Sequence, residues 1–362
     1  MAGDSNGARD AALRELQACV QGAVDAGRTP GAVVHVGWAG GGWTRAVGAK
    51  ALEPQPEPLD ERTIYDCASL TKVVVTAPVF ARLMHEGAVQ PRTPVRSLLP
   101  GFAAAGAITV AQLLTHTSGL PASLPLDEPW SGPDAALALA CASLPTHPPD
   151  TLFRYSDVGF VLLAAIAERV SGIDLASLAQ AWILEPLGMA DSGFRPLRRI
   201  AAARIAPTEG DAAGGHLRGT VHDPTARRMG GVAGHAGLFA TAADIARYAR
   251  MVLGAGMFEG RRVLPEAAVA AMTAVATPAA LPVRRSLGWD IDSPLSRARG
   301  AVYAPGSFGH TGFTGCALWI DPSAGGFHVL LSNRVHPVAR ESIVDVYEAV
   351  ATHAARAILA AT

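Results

Sequence analysis

The residues Ser69-Leu70-Thr71-Lys72 place a hydroxyl and an amine three positions apart, just ahead of the apolar run Val73 to Met84. If a helix starts near Ser69, positions i and i+3 share a face, so hydroxyl and amine lie one turn apart and can touch. That is a nucleophile beside a base. An amine accepts a proton only when neutral, and burial in an almost wholly apolar helix lowers a lysine pKa, so the sequence predicts a neutral Lys72. Free N–H groups and the positive dipole end at the helix N-terminus would stabilise negative charge developing at Ser69. The chain has 30 Lys+Arg, of which only Lys50 and Lys72 are lysines. Arginine could not serve at 72, because a guanidinium does not deprotonate in a protein. The competing reading is structural: Ser69 caps a core helix and Lys72 snorkels to the surface.

The elements around this stretch are legible from periodicity. Leu13, Leu16, Val20 and Val24 predict a helix over Asp10 to Ala26, ended by Gly27 and Pro30, with residues 1–9 a flexible N-terminus. A hairpin follows, Ala32 to Val36 and Trp43 to Val47 about a Gly40-Gly41-Gly42 turn. Pro78 predicts a kink in the helix after Lys72. Helices are expected at Ile108 to Leu114 with Thr109 as cap, Pro133 to Leu144, Asp157 to Val170, Asp174 to Leu187, Thr241 to Leu253, Pro265 to Val275 and Ala339 to Ala360. Strands are expected at Ser286 to Asp290, Cys316 to Ile320 and Phe327 to Ser332, and 188–237 reads as a long irregular segment. Strands at both ends with helices between predict one antiparallel sheet shared by the termini, and a substrate cleft between sheet and helical insertion.

Composition narrows the function. A chain of 362 residues, 49% hydrophobic and 17% charged, is a globular protein with a sizeable core. A net charge of −1 and scattered arginines argue against nucleic acid. Met1 to Ala12 lacks an apolar leader, and the longest apolar stretch, Val158 to Ala167, is too short to span a bilayer, so a cytoplasmic location without membrane insertion is expected. Cys19, Cys67, Cys141 and Cys316 form no C-x-x-C and read as free buried thiols. No cofactor and no metal site is indicated, and the oligomeric state is left open.

Two further stretches give the first one partners. Tyr155-Ser156-Asp157 opens an apolar helix, and Gly309-His310-Thr311-Gly312-Phe313-Thr314-Gly315 precedes a strand. Alone, Tyr155 would be an ordinary buried tyrosine and Asp157 a helix N-cap. In this order and at these separations the three stretches resemble the motifs of the penicillin-binding and serine β-lactamase superfamily, most closely its class C β-lactamase and esterase branch. ITVAQLLTHTSGLP (108–121), EPLGM (185–189), GGVAGHAGLFATAADIA (230–246) and GHTGFTGCALWIDP (309–322) carry the resemblance across nearly the whole chain. It implies an α+β, β-lactamase-like fold in one catalytic domain over 10–362. An α/β lobe would take about 10–66 and 284–362, and a helical lobe about 67–283.

The resemblance also implies roles. Ser69 would be the nucleophile of an acyl-enzyme, Lys72 its base or proton relay, and Tyr155 a second base that protonates the leaving group. The N–H groups of Ser69 and Phe313 would form the oxyanion hole. Asp157, His310, Thr311 and Gly312 would contact substrate, and glycines 309, 312 and 315 would let it lie close to the strand. His235 reads equally as a cleft residue or a structural one, and His116 as a turn residue inside the helical lobe. Two positions depart from the pattern: Asp157 stands where asparagine is usual, and His310 where β-lactamases have lysine. A histidine titrating near 6.5 gives no lasting charge at pH 7 for a substrate carboxylate, which argues against efficient β-lactam hydrolysis. The expected activity is hydrolysis of a small ester, with a D-alanyl peptide, muropeptide amide or β-lactam as the alternatives. A catalytically silent peptide- or cell-wall-binding protein of this fold is the non-enzymatic rival. An α/β-hydrolase is disfavoured because Pro305-Gly306-Ser307-Phe308-Gly309 lacks the first glycine of its elbow, and a metallohydrolase because no H-E-x-x-H occurs.

Overall fold

The computed structural model describes residues 2–104, 108–210, 215–293, 296–339 and 341–361, with 2–5 as backbone only. The expected hairpin forms from β1 (Gly31–Trp38) and β2 (Gly41–Ala51), followed by the short β3 (Glu57–Pro58). Its turn is Ala39-Gly40, where Gly40 takes φ 75, so both strands run longer than the glycine triplet suggested. Near the other end of the chain lie β4 (Asp290–Ile291), β5 (Phe308–Gly312), β6 (Cys316–Asp321) and β7 (Gly326–Ser332). β7 pairs with β1, Ala32 opposite Ser332, so both ends of the chain share one antiparallel 7-stranded sheet, ordered β3-β2-β1-β7-β6-β5-β4. The α+β class stands as predicted.

Alternation along the central strands loads both faces of this sheet. Val34, Val36 and Leu330 pack on one side against Leu13, Leu16 and Val20 of the N-terminal helix and Val350, Ala354 and Ile358 of the C-terminal helix. Val33, Val329 and Leu331 pack on the other against Val73, Tyr248, Met251 and Trp289, which carry the sheet into the helical part. The N-terminal helix spans Ala2–Asp25, so the stretch expected to be flexible is helical from residue 2, and Met1 lies outside the described residues. No proline interrupts residues 2–9, and a helix anchored by buried Leu13 and Leu16 propagates through them. The C-terminal helix, by contrast, starts only at Val344.

The elements that hold the site are short. Thr109 and Gln112 close the reciprocal cap of the helix Val110–Leu114, as their spacing predicts. Pro78 follows a change of winding: Lys72–Thr76 is a π-turn in which the Ala77 N–H reaches back to Lys72 O, and the α-helix Ala77–His85 follows. The predicted Asp174 to Leu187 helix likewise splits into Leu175–Ala179 and a π-turn Gln180–Leu184. The strand read at Ser286 to Asp290 is displaced to Asp290–Ile291. Segment 188–237 is mostly irregular, with short helical turns such as Pro224–Arg228; its residues 211–214 lie outside the described ones. Among the described residues no helix is long and apolar enough to cross a membrane.

Histidines packed into the sheet, one fully and one largely buried, make the fold acid-sensitive. His328 on β7 is fully buried against the Tyr303 hydroxyl at 2.8 Å, and burial pushes its pKa down to about 3; burial, helped by Arg250, takes His35 on β1 to about 4. The unfolded chain binds these protons from about pH 6.5 downward and the folded one does not, so stability is full above that pH and falls as pH drops. Each histidine should cost about 1.4 kcal/mol per pH unit until its own folded value is reached. Urea unfolding at pH 7 and pH 5 should show this loss, and His328→Leu should reduce it. An identical pH dependence in that variant would mean His328 does not stay neutral in the fold.

Candidate active site

Ser69 is presented by a strained turn. Ala68 takes φ 44, outside the usual range for a residue with a Cβ, and its N–H donates to Asp66 Oδ1 at 2.9 Å. Asp66 Oδ2 accepts from the His222 N–H at 2.7 Å, so one buried carboxylate pins the turn to the 222–236 segment. Burial pushes that carboxyl's pKa up and the two backbone donors pull it down. The Cys67 N–H bonds Leu238 O, and the Thr314 hydroxyl donates to Asp66 O at 2.7 Å, tying the turn to the β5–β6 connection. Among the described residues the N–H groups of Ser69 and Phe313 donate to no protein acceptor. Two orphan donors flank the turn.

One helical turn on, Lys72 is fully buried, with Nζ 3.0 Å from Ser69 Oγ, 2.7 Å from Asp157 Oδ1 and 3.2 Å from His235 O. The ring centroids of Tyr155 and Phe160 lie 4.7 and 5.4 Å from Nζ. The expectation of a neutral lysine is overturned. Burial does push the pKa down, but the Asp157 carboxylate and Tyr155 outweigh it and hold the pKa above the ordinary lysine value. Sequence reasoning counted the desolvation and could not see the counter-ion. Nor is Asp157 the cap of its helix: Ser156 caps it by accepting from the Gly159 N–H, and Asp157 is the first residue of Asp157–Ser171.

His310 lies 5.9 Å from Tyr155 between ring centroids, and His116 stacks on Tyr155 at 4.3 Å. His116 occupies a turn with φ 59 and accepts the Ser156 N–H at Nδ1, which fits its reading as a structural residue. His310 Nδ1 lies 2.7 Å from Thr311 O, so it donates to that carbonyl and leaves the Nε2 lone pair. Burial, reinforced by Arg285 and Lys72, drives the pKa of His310 well below the ordinary 6.5, which corrects the expectation that it titrates there. A positive charge in the same wall belongs to a residue the sequence did not single out. Arg285 is buried, 3.7 Å from Asp290 Oδ1, over the Phe153 ring at 5.2 Å, with its Nε unpartnered.

A cavity of about 920 Å³ brings Ser69, Tyr155, Asp157, His235, His310, Thr311 and Phe313 together with Arg285, Asp223 and Phe153. Phe313 stands 58% exposed at its rim, its ring stacked on His222. Lys72 sits beneath this wall. Gly312 serves packing, since a Cβ there would come 2.6 Å from Cys67 O; at Gly309 it would meet the Trp319 ring at 2.1 Å, and at Gly315 the Ser332 hydroxyl at 2.1 Å. These glycines let the strands and the Ser69 turn approach one another closely. His235 is buried, its Nε2 2.9 Å from Asp223 Oδ1. That contact, with Lys72 and the Ala226 N–H, outweighs burial and holds the Asp223 carboxyl well below the usual carboxylate range. Asp157, Asp223 and His235 each bring one ligand-type atom within 4.8 Å of the others, a geometry open to a cation. The Lys72 ammonium already stands there.

A family model described as Beta-lactamase matches residues 16–352. The chain belongs to the β-lactamase family. Among its relatives, a protein of Escherichia coli (strain K12) named "Putative D-alanyl-D-alanine carboxypeptidase" is 31% identical over 326 residues, 80% of this chain and 73% of that protein. The crystal structure of SurE is 30% identical with a TM-score of 0.70, covering 91% of this chain and 72% of SurE. A class C β-lactamase, 20% identical, superposes with a TM-score of 0.74 over 96% of each chain, which speaks to the fold alone. The resemblance carried by the three motifs is therefore borne out at the level of the family, and this β-lactamase-family member is a serine hydrolase.

Proposed function

We propose that this hydrolase forms an acyl-enzyme on Ser69, with Lys72 as proton relay, Tyr155 as proton donor to the leaving group, and the Ser69 and Phe313 N–H groups as oxyanion donors. Its preferred substrate carries a carboxylate beside the scissile bond, as the end of a D-alanyl peptide does. One observation carries this reading: Arg285, a permanent cation, lines the same cavity as Ser69. The ester preference expected from His310 alone moves to second place, because the charge His310 lacks is supplied by Arg285. The name of the Escherichia coli relative points the same way. Four free cysteines agree with the proposed cytoplasmic location.

The test compares a D-alanyl-D-alanine peptide, its C-terminal amide and p-nitrophenyl acetate. The free acid should be the better peptide substrate. Arg285→Met should lower the ratio of free-acid turnover to nitrophenyl ester turnover about ten- to a hundredfold, the worth of a charge-assisted hydrogen bond. Arg285→Lys keeps the charge and should retain part of it. An unchanged ratio in folded variants would return neutral esters to first place.

A further inference from the structure

Asp157 stands where the family resemblance expects asparagine, and its surroundings show what the added charge faces. Nζ of Lys72 lies 2.7 Å from Asp157 Oδ1, 3.0 Å from Ser69 Oγ and 3.2 Å from His235 O, with the Tyr155 side chain also against it. An ammonium has three N–H bonds and no lone pair, so it can donate toward such oxygens and pair with the carboxylate but accept from none of them. A neutral amine could accept the Ser69 O–H at its lone pair, but it would leave the Asp157 carboxylate at 2.7 Å without a counter-ion. Lys72 is fully buried, so losing that ion pair would be costly. The resting pair is therefore ammonium and carboxylate, and the ammonium has nothing with which to accept the Ser69 proton.

The other ionisable groups around Lys72 come from separate elements. Tyr155 precedes the Asp157 helix, His116 stacks behind it, His310 lies on β5, Arg285 precedes β4, and Asp223 and His235 belong to the 222–236 segment. His116 and His310 are held neutral by burial and by the nearby Arg285 and Lys72. Asp223 is engaged with His235 and the Ala226 N–H. Among the described residues, Asp157 is the carboxylate that touches Nζ.

We propose that Lys72 and Asp157 act as one proton-sharing pair, in which Asp157 accepts a Lys72 proton as Lys72 accepts the proton of Ser69. In balance, the Nζ–H bond to the shared proton breaks as an O–H bond forms on Asp157, leaving a neutral amine. Ser69 Oγ bonds the substrate carbonyl carbon while its proton passes to that amine and regenerates the ammonium. When the tetrahedral adduct collapses, the bond to the leaving group breaks and the proton held by Asp157 travels through Lys72 and Tyr155 to the departing atom. Both groups of the pair end as they began. This rests on Ser69 as the nucleophile and is indifferent to which leaving group the enzyme prefers.

With two lysines in the chain, a protein labelled with [ε-¹³C]lysine gives a two-signal NMR spectrum that reads Lys72 directly. In the wild type its signal should titrate above the ordinary lysine value of about 10.4, and in Asp157→Asn about one to three pH units lower than in the wild type. Acylation by p-nitrophenyl acetate should be flat between about pH 6 and 9 in the wild type, because the proton moves inside the pair. In Asp157→Asn the rate should climb about tenfold per pH unit up to the Lys72 value read by NMR. A wild-type rate that climbs tenfold per unit over that range overturns the proposal, as does an unmoved Lys72 titration in Asp157→Asn. The wild-type measurements stand even if the asparagine variant misfolds, and Asp157→Glu, which keeps a carboxylate, should keep the flat profile. Failure of D-alanyl peptides as substrates would sink the substrate reading and leave these measurements untouched.

Discussion

Alanine in place of Ser69 is expected to abolish turnover and covalent labelling together, a loss on the order of 10⁶-fold such as removal of the nucleophile causes in other serine hydrolases. The fold should survive. The Ser69 hydroxyl contacts Lys72 Nζ, whereas the turn that carries it is held by the Asp66 carboxylate, the Cys67 N–H and the Thr314 hydroxyl. Mass spectrometry after treatment with a serine-directed phosphonate should place the adduct on Ser69 in the wild type and find none in Ser69→Ala, with the thermal midpoint little changed. The nearest rival serines are poorly placed for attack. Ser118 is 1% exposed inside the 115–120 turn, and Ser307 is fully buried with its hydroxyl accepting the Trp319 indole N–H at 3.1 Å. An adduct on either would overturn the assignment and with it the role of the Ser69–Lys72 contact.

What the sequence revealed of this site was whatever lay within one turn or one motif. Ser69 to Lys72 is a local spacing, and a local spacing survives folding, so their contact could be read before the fold was known. The terminal strands were legible because alternation along Ala32 to Val36 and Phe327 to Ser332 is strong and both faces of the sheet are covered. The charge state of Lys72 was not legible, because it depends on a carboxylate from position 157 that arrives only through the packing of two helices. Arg285 was invisible for the same reason. One arginine among many carries no signal until burial against Phe153 and the cavity wall distinguishes it. Asp66 and Asp223 did carry weak signals, an acid just before the nucleophile turn and an Asp-Pro helix start. Neither spacing says that one carboxylate would clamp Ala68 and the other hold His235. The glycines of the 309–315 stretch were legible as close approaches, and protein atoms do crowd all three.

Arginine at position 72 should be nearly as damaging as alanine, each lowering turnover on the order of 10²- to 10⁴-fold, the usual worth of general acid–base help. Charge alone would predict otherwise. A guanidinium keeps the ion pair with Asp157 and can still donate to Ser69 and the His235 carbonyl, so every resting contact of the ammonium has a counterpart. What it lacks is the capacity to give up a proton to Asp157 and accept another from Ser69, because it does not deprotonate in a protein. It is also larger, and the space around Nζ is closed by the Tyr155 and Phe160 rings, so some loss of stability is expected and must be measured separately. The informative quantity is therefore the acylation rate of folded Lys72→Arg with p-nitrophenyl acetate, normalised to the fraction folded by thermal melting. Retention of most of the activity would make Lys72 a purely electrostatic group. The Ser69 proton would then have to leave through Tyr155, whose ring centroid lies 4.7 Å from the same nitrogen.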